Sequence, residues 1–338
     1  MRSGTSCARP LMRLADPPAA RLRALLRRFA GRRVLVTGDI ILDEYLFGNV
    51  KRISPEAPIP VFEFAEESVT PGAAAYVAGH VRHLGGEAIL CGVVGDDVNG
   101  RRLQDLLEKQ GIATDGLIMD PDRPTTVKTR VIARHQQMLR IDRERLNPVS
   151  PDICRRMLSC IQDTIRTVDA VIFSDYDKGA FTVPLIEETI RAARLAGIPV
   201  AVNPKPRLAL KFKGATIVSM NQEEAAACLK RPLPDDAAFA RGGTEIRRRL
   251  SARAVLITRH EHGMALFTGD GACSIPTRAK EVFDGTGAGD TVIAVAGMGL
   301  ASGGRLAECV HLANVAAGVE VGKLGCALVS REEIARNI

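Results

Sequence analysis

Three glycines within five residues, Gly285, Gly287 and Gly289, stand between Asp284 and Asp290 and run directly into Thr291-Val-Ile-Ala-Val-Ala296. Glycine permits a tight turn, and a run of small apolar residues without a polar face suits only a buried helix. The stretch therefore reads as a glycine-rich turn feeding the first turn of a buried helix. Such a junction aims several unpaired backbone N–H groups at one spot, with the positive end of the helix behind them. An anion, above all a phosphate, fits there. A carboxylate beside an anion is repelled by it, unless it takes a proton from a group attacking that anion. Asp290 holds that position, and the combination describes phosphoryl transfer to a hydroxyl. The same residues also suit a plain helix cap by Asp284 or Asp290.

Two common nucleotide motifs are excluded. Gly285 to Gly289 is G-x-G-x-G, not the G-x-G-x-x-G of dinucleotide-binding folds, and it lies near the C-terminus. Gly322-Lys323 is followed by Leu324 and lacks the first glycine of a P-loop.

Upstream, short β-branched runs alternate with helical stretches. Strands are expected at 34–39, 88–94, 170–174, 199–203, 216–220 and 254–258. Helices are expected at 71–85, 101–110, 183–196, 222–229, 237–250 and 306–321, with a hairpin turning near Gly269-Asp-Gly271. This order implies an α/β fold of three layers, α/β/α, around a mostly parallel sheet. Residues 45–64 carry three prolines among aromatic and β-branched residues, which suits an edge or outlying strand pair. Thr125 to Asp142 alternates polar and apolar, as a half-solvated antiparallel hairpin does. Together these segments, about 43–64 and 123–142, read as a small β-lid over the ligand edge of the sheet. Asp39 and Asp43 lie at and just beyond the carboxyl end of the first strand, where open α/β sheets bind ligands and where carboxylates can grip a polyol. Turn and cap duty is the plain alternative.

Charge is confined to one end. Residues 1–33 hold nine arginines and one acid, Asp16, whereas the chain as a whole is +7, so the remainder is close to neutral. A nucleic-acid partner is therefore not expected. The Arg-rich head, 1–30, reads as a partly disordered tail with a short helix ahead of the first strand, and 31–338 as the folded domain. There is no apolar run long enough to span a membrane. Eight cysteines without C-x-x-C pairs suit a reducing, cytoplasmic setting.

The motifs resemble those of the ribokinase-like (PfkB) carbohydrate kinase superfamily. Asp284-Gly-Thr-Gly-Ala-Gly-Asp290 is similar to its C-terminal signature, Asn221-Gln-Glu-Glu224 to its Asn-x-x-Glu motif, and Val36-Thr-Gly-Asp39 with Asp43 to its sugar-gripping first strand. Within the superfamily, four runs resemble the group that acts on D-glycero-β-D-manno-heptose 7-phosphate in lipopolysaccharide core synthesis. They are Arg52-Ile-Ser-Pro-Glu-Ala-Pro-Ile-Pro-Val61, Gln136-Gln-x-x-Arg140-x-Asp142, Ser174-Asp-Tyr-x-Lys-Gly179 and Val321-Gly-Lys-Leu-Gly325. Some of that group carry a fused nucleotidylyltransferase; the length here fits a stand-alone kinase.

The resemblance implies ATP as donor and Mg²⁺ as the accompanying ion. It implies that Asp290 deprotonates the anomeric hydroxyl while the amides of Gly287, Ala288 and Gly289 form the anion hole. Asn221, Gln222, Glu223 and Glu224 would serve the magnesium nucleotide, with Glu224 reaching the ion through water. Asp39, Asp43 and Gly72 would line the sugar site, and Lys128, Arg130, Arg140 and Lys178 are candidates for the acceptor's phosphate. A homodimer through the exposed lid edge is a further expectation. A kinase for another sugar, or a non-catalytic sugar-phosphate-binding module, are the alternatives. The sequence departs from the family pattern on what reads as the acceptor side. Ala73 stands at a usual glycine, Tyr76 at a usual asparagine, and Asn203 at a usual aspartate; Gly285 replaces a larger residue.

Overall fold

The computed structural model describes residues 11–134, 136–279, 282–283, 285–323 and 327–338. Asp284, the first ten residues of the head and the end of the Val321–Gly325 run lie outside them. A short strand, β1 (Met12–Arg13), and helix α1 (Ala19–Arg27) precede β2 (Arg33–Ile53). Then come β3 (Pro60–Ala73), α2 (Ala74–His83), β4 (Glu87–Gly95), α3 (Val98–Lys109) and β5 (Leu117–Asp120). A hairpin of β6 (Thr126–Ala133) and β7 (Gln136–Arg143) leads to α4 (Pro151–Thr164), β8 (Ala170–Ser174) and α5 (Val183–Leu195). The next elements are β9 (Val200–Asn203), β10 (Ile217–Asn221), α6 (Gln222–Leu229), α7 (Asp236–Leu250) and β11 (Ala254–Thr258). Last come β12 (Met264–Thr268), β13 (Gly271–Ile275), α8 (Ala288–Ala301), α9 (Leu306–Glu320) and α10 (Arg331–Asn337).

The main sheet runs β1-β13-β12-β11-β10-β9-β8-β2-β4-β5. From β11 to β5 its neighbours are parallel, and β12 and β13 are joined antiparallel at one end. Side chains alternate across the pleat into two cores. Val34, Val36, Ala170 and Ile172 face the core shared with α1, α2, α3, α8, α9 and α10. Leu35, Val171, Phe173 and Val200 face the core shared with α4, α5, α6 and α7. This is the expected three-layer arrangement, and α8 is buried from Asp290 to Ala301 as its composition requires.

Where two elements were expected, 34–39 and part of 45–64, a single 21-residue strand, β2, runs through both. Its first part pairs with β4 and β8 in the main sheet. Its second part pairs with β3 and β6. The lid is thus a second sheet of order β3-β2-β6-β7, continuous with the first through one backbone. The chain need not break at Asp39 because new partners take over its hydrogen bonds within two residues. The lid hairpin forms as read, with β6 and β7 antiparallel.

The β3-to-α2 junction shows what one family departure costs. Ala73, the N-cap residue of α2, has φ 54° and ψ −126°. A methyl-bearing residue is strained there, while glycine is not. Ala73→Gly is expected to stabilise the protein by about 1 kcal/mol, the relieved strain outweighing the added freedom of the unfolded chain. Thermal unfolding should show a Tm raised by a few degrees; an unchanged or lower Tm would contradict the strain.

Candidate active site

Chain order places the cleft. From β2 the chain steps outward to β4 and β5 on one side, and β8, β9, β10 and β11 build out on the other. The switch point therefore lies between β2 and β8, at whose carboxyl ends ligands bind in such sheets. Gly38 and Ser174 are register partners there. A Cβ on Gly38 would stand 2.0 Å from the Ser174 carbonyl oxygen, so only glycine lets the strands close.

Asp39 follows, 3% exposed. Its Oδ2 accepts the amides of Tyr176 (2.8 Å) and Lys178 (3.1 Å), and its Oδ1 that of Ala180 (3.0 Å). Three of about four acceptor positions on this carboxylate are thereby taken. Asp39, expected to grip the acceptor, instead binds down the loop after β8. Asp175 continues the clamp: it accepts the amides of Asp177 (2.8 Å) and Lys205 (3.0 Å), tying the loops after β8 and β9 together. Burial, and then the charge of Asp39, raise the Asp175 carboxyl to about 6. Burial likewise raises Asp39, against its three amide donors.

These clamped loops hold Tyr176 and Lys205 over the start of α8. Gly287 caps that helix at φ 93°, a left-handed conformation that favours glycine. Ala288 donates only a long bond, 3.4 Å, to Gly285, and the amides of Gly287 and Gly289 donate to no described residue. Among the described residues, the amides of Gly287 and Gly289 are thus left without an acceptor and that of Ala288 is only weakly held at this helix start. Asn203 Nδ2 donates to the Gly289 carbonyl at 3.3 Å and fixes the first turn to β9. A Cβ on Gly287 would meet Tyr76 at 3.0 Å and Glu320 at 3.1 Å. Tyr76 therefore lies against the glycine turn, its hydroxyl donating to the Ala327 carbonyl (3.1 Å).

Asp290 sits in the first turn of α8, 4% exposed. The Tyr176 hydroxyl donates to its Oδ2 at 2.6 Å. Burial pushes its carboxyl up to about 7; the Tyr176 hydrogen bond and Lys205 pull the other way, and Asp43 and Glu224 add to the rise. Such a value near neutrality suits a group that takes up and releases a proton. Behind it, Thr291 Oγ1 and His80 Nε2 are 3.0 Å apart, and burial lowers His80 to about 3, so the ring stays neutral.

A cavity of about 570 Å³ opens beside Asp290. One end is polar, with Lys205, Asn221 and Glu224; the walls are apolar, with Met264, Val292 and Val321. Asn221 and Glu224 form a capping box on α6: Glu224 N donates to Asn221 Oδ1 (2.7 Å) and Asn221 N to Glu224 Oε2 (2.9 Å). The other oxygen of Glu224 pairs with Lys205. Gln222 and Glu223 do not line the cavity. Gln222 accepts from Arg259 (3.2 Å), and Glu223 contacts His260 (3.2 Å).

On the lid, register places the candidate acceptor residues on one face. Asp43, Lys128 and Asp142 form one cross-strand row, and Tyr45, Arg130 and Arg140 the next. Arg130 pairs with Asp43 at 2.5 Å and lies 5.2 Å over the Tyr45 ring. Arg140 makes two bonds to Asp142, which it holds down at about 2. Glu144 bridges Lys178 (2.8 Å) and Lys128 (3.8 Å). Lys128, Arg140 and Lys178 thus form one network with Asp142 and Glu144, and Arg130 pairs with Asp43 beside it. Gly72 touches this row from β3: a Cβ there would stand 2.0 Å from Asp43 Oδ2, so the glycine makes room for that carboxylate.

Sequence reading missed Tyr176, Lys205 and Asp175. Their runs, Ser174-Asp-Tyr and Asn203-Pro-Lys, were visible, but only the fold shows that both loops end over Asp290.

A glycine-rich helix start, a buried carboxylate in its first turn and a cavity beside it at the carboxyl ends of β9, β10 and β11 suit a phosphotransferase with the ribokinase-like fold. The chain belongs to the pfkB family of carbohydrate kinases, whose model matches residues 32–333. Bifunctional protein HldE of Pelobacter propionicus is 41% identical over 314 residues, covering 93% of this chain and 64% of that protein. The HldE of Geobacter sulfurreducens is 44% identical over 301 residues, covering 89% and 61%. The chain therefore spans just under two thirds of these relatives' length. Among solved structures, phosphofructokinase-2 from Escherichia coli superposes with a TM-score of 0.73 at 18% identity, covering 91% of this chain and 97% of that one. Arabidopsis thaliana ribokinase, complexed with ribose and ATP, gives 0.70 at 18% identity, covering 91% and 98%. At such identity these two establish the fold alone.

Proposed function

We propose that this sugar kinase transfers the γ-phosphoryl group of ATP to the anomeric hydroxyl of D-glycero-β-D-manno-heptose 7-phosphate, giving the 1,7-bisphosphate for ADP-heptose and lipopolysaccharide core synthesis. The observation that carries the reaction is the buried Asp290 carboxylate beside the Gly287 and Gly289 amides, which donate to no described residue, and the weakly bonded amide of Ala288, all lining one cavity. Asp290 takes the hydroxyl proton as that oxygen attacks phosphorus. The bond from the γ-phosphorus to the bridging oxygen breaks, and its electron pair leaves with ADP. The amides of Gly287, Ala288 and Gly289 hold the equatorial oxygens as charge develops. Lys205 faces the same polar end of the cavity.

Among the described residues no three acids, histidines or cysteines converge as a metal cage. Glu224 presents a carboxylate to the polar end, which fits Mg²⁺ carried by the nucleotide's phosphates and touching Glu224 through water. The ion would supply charge neutralisation on those phosphates.

The heptose assignment is supported by the Arg52–Val61 run, by the HldE relatives and by Lys128, Arg130 and Arg140 of the lid with Lys178 of the loop after β8, which suit an acceptor already carrying a phosphate. In this reading Asp43, within electrostatic reach of Asp290, orients the sugar hydroxyls. The test is a panel of heptose 7-phosphate, unphosphorylated heptose, ribose and fructose 6-phosphate with ATP, with the product's phosphate position determined. Transfer to heptose 7-phosphate at carbon 1 is expected. Lys178→Ala or Lys128→Ala should raise KM for the phosphorylated acceptor about 10- to 100-fold, the loss of one charge-assisted contact, and leave KM for ATP unchanged. Equal loss with unphosphorylated heptose would remove these lysines from phosphate recognition.

The lid also supports self-association. β7 pairs only with β6 among the described strands, and Leu139 and Ile141 on it are 50% and 52% exposed. A homodimer through this edge is expected by sedimentation, and Ile141→Lys should shift it toward monomer.

A further inference from the structure

Asp290 has two oxygens with different surroundings. Oδ2 accepts the Tyr176 hydroxyl at 2.6 Å, and Oδ1 accepts no hydrogen bond from any described residue. Tyr176 is itself held from two sides. Its amide donates to Asp39 Oδ2 at 2.8 Å, and the Lys205 ammonium lies 5.3 Å over its ring. Lys205 is in turn paired with Glu224 at the polar end of the cavity. The tyrosine therefore sits between the nucleotide end and the carboxylate, with its backbone fixed by a buried clamp.

We infer that Tyr176 is a positioning residue for the base: its hydroxyl locks one oxygen of Asp290 and leaves the other, Oδ1, to receive the acceptor's proton. This rests on the reading of Asp290 as the base. A carboxylate on a helix start can rotate about its terminal torsion, which is broad and roughly two-fold. A short O–H···O⁻ bond removes that freedom and favours the ionised form. The other charged groups facing Asp290 are Lys205, from the loop after β9, which also favours ionisation, and Asp43 on β2 and Glu224 on α6, which oppose it. On the α2 side, His80 stays neutral and does not titrate in the working range.

Tyr176→Phe keeps the ring, its contact with Lys205 and the amide bond to Asp39, and removes only the hydroxyl. It is expected to lower kcat roughly 10- to 100-fold, the worth of one hydrogen bond to a charged group. It should also move the acidic limb of the kcat/KM profile to higher pH and leave ATP affinity, read by calorimetry, within about twofold. A residue that merely packs would move neither kcat nor the limb. An unchanged limb, or kcat within about twofold of wild type, overturns the inference. Asp290→Asn run in parallel separates the two readings. If that variant keeps its activity, the base assignment itself fails. If it is inactive while Tyr176→Phe matches wild type, only the positioning role fails.

Discussion

Asp290→Asn is expected to lower kcat by about 10³-fold while leaving the fold and ATP binding intact. A positioned general base contributes roughly 10²- to 10⁴-fold, and asparagine cannot accept the proton. The asparagine carbonyl can still accept the Tyr176 hydroxyl, so the loops above α8 keep their place. In the wild type, burial raises the Asp290 carboxyl to about 7. Activity should therefore fall as pH drops below about 7, well above the range of an ordinary carboxylate. For stability the sign is fixed by the same shift. A carboxyl raised in the folded state contributes stability that is fully present below its unfolded value and is lost as pH rises through about 7. Asparagine does not ionise, so at pH 8 the variant should melt at or above the wild-type temperature. Activity profiles and thermal unfolding at matched pH check both halves; a variant that melts much earlier would mean that activity was lost through misfolding.

Gly38→Ala is expected to be the most damaging single methyl in the chain's sheet. The added carbon would stand 2.0 Å from the Ser174 carbonyl oxygen, 2.9 Å from its carbon and 3.2 Å from the Ala74 side chain. The first two are backbone atoms of the paired strand and cannot swing away. Relief requires β2 and β8 to separate at the point where Asp39 clamps the next loop. A loss of about 4 kcal/mol or more, on the order of 10 °C in Tm, is expected, with activity falling in step because Tyr176 moves with that loop. Circular dichroism melts and soluble yield measure it. A Tm within about 2 °C of wild type would show that the strands are not so closely packed.

Much of the fold was legible because it depends on local chemistry. The strands at 170–174 and 254–258 and the helix at 222–229 fall where their periodicity puts them. α4 was missed although its signals are present: Ser150 caps it, Pro151 opens it, and Ile153, Met157 and Ile161 form its buried stripe. β2 was divided because its continuation beyond Asp39 depends on partners, β3 and β6, that are far along the chain.

For the site, residue type and spacing by themselves determined the glycine-rich turn and Asp290 at its helix start, while Asn221 and Glu224 were singled out by the resemblance and prove to be a capping box. Amides freed by glycine, a helix dipole and a capping box are all set within a few residues of chain. Only the tertiary structure decided how each of two nearby aspartates is partnered. Asp39 is consumed by amides from 137 to 141 residues away, while Asp43 meets Arg130 across the lid. It also decided that Tyr76 lies against the glycine turn and that Tyr176 and Lys205 lie over Asp290. Those placements follow from how separate strands stack at the switch point, a long-range outcome of burial and register that no local run of residues encodes.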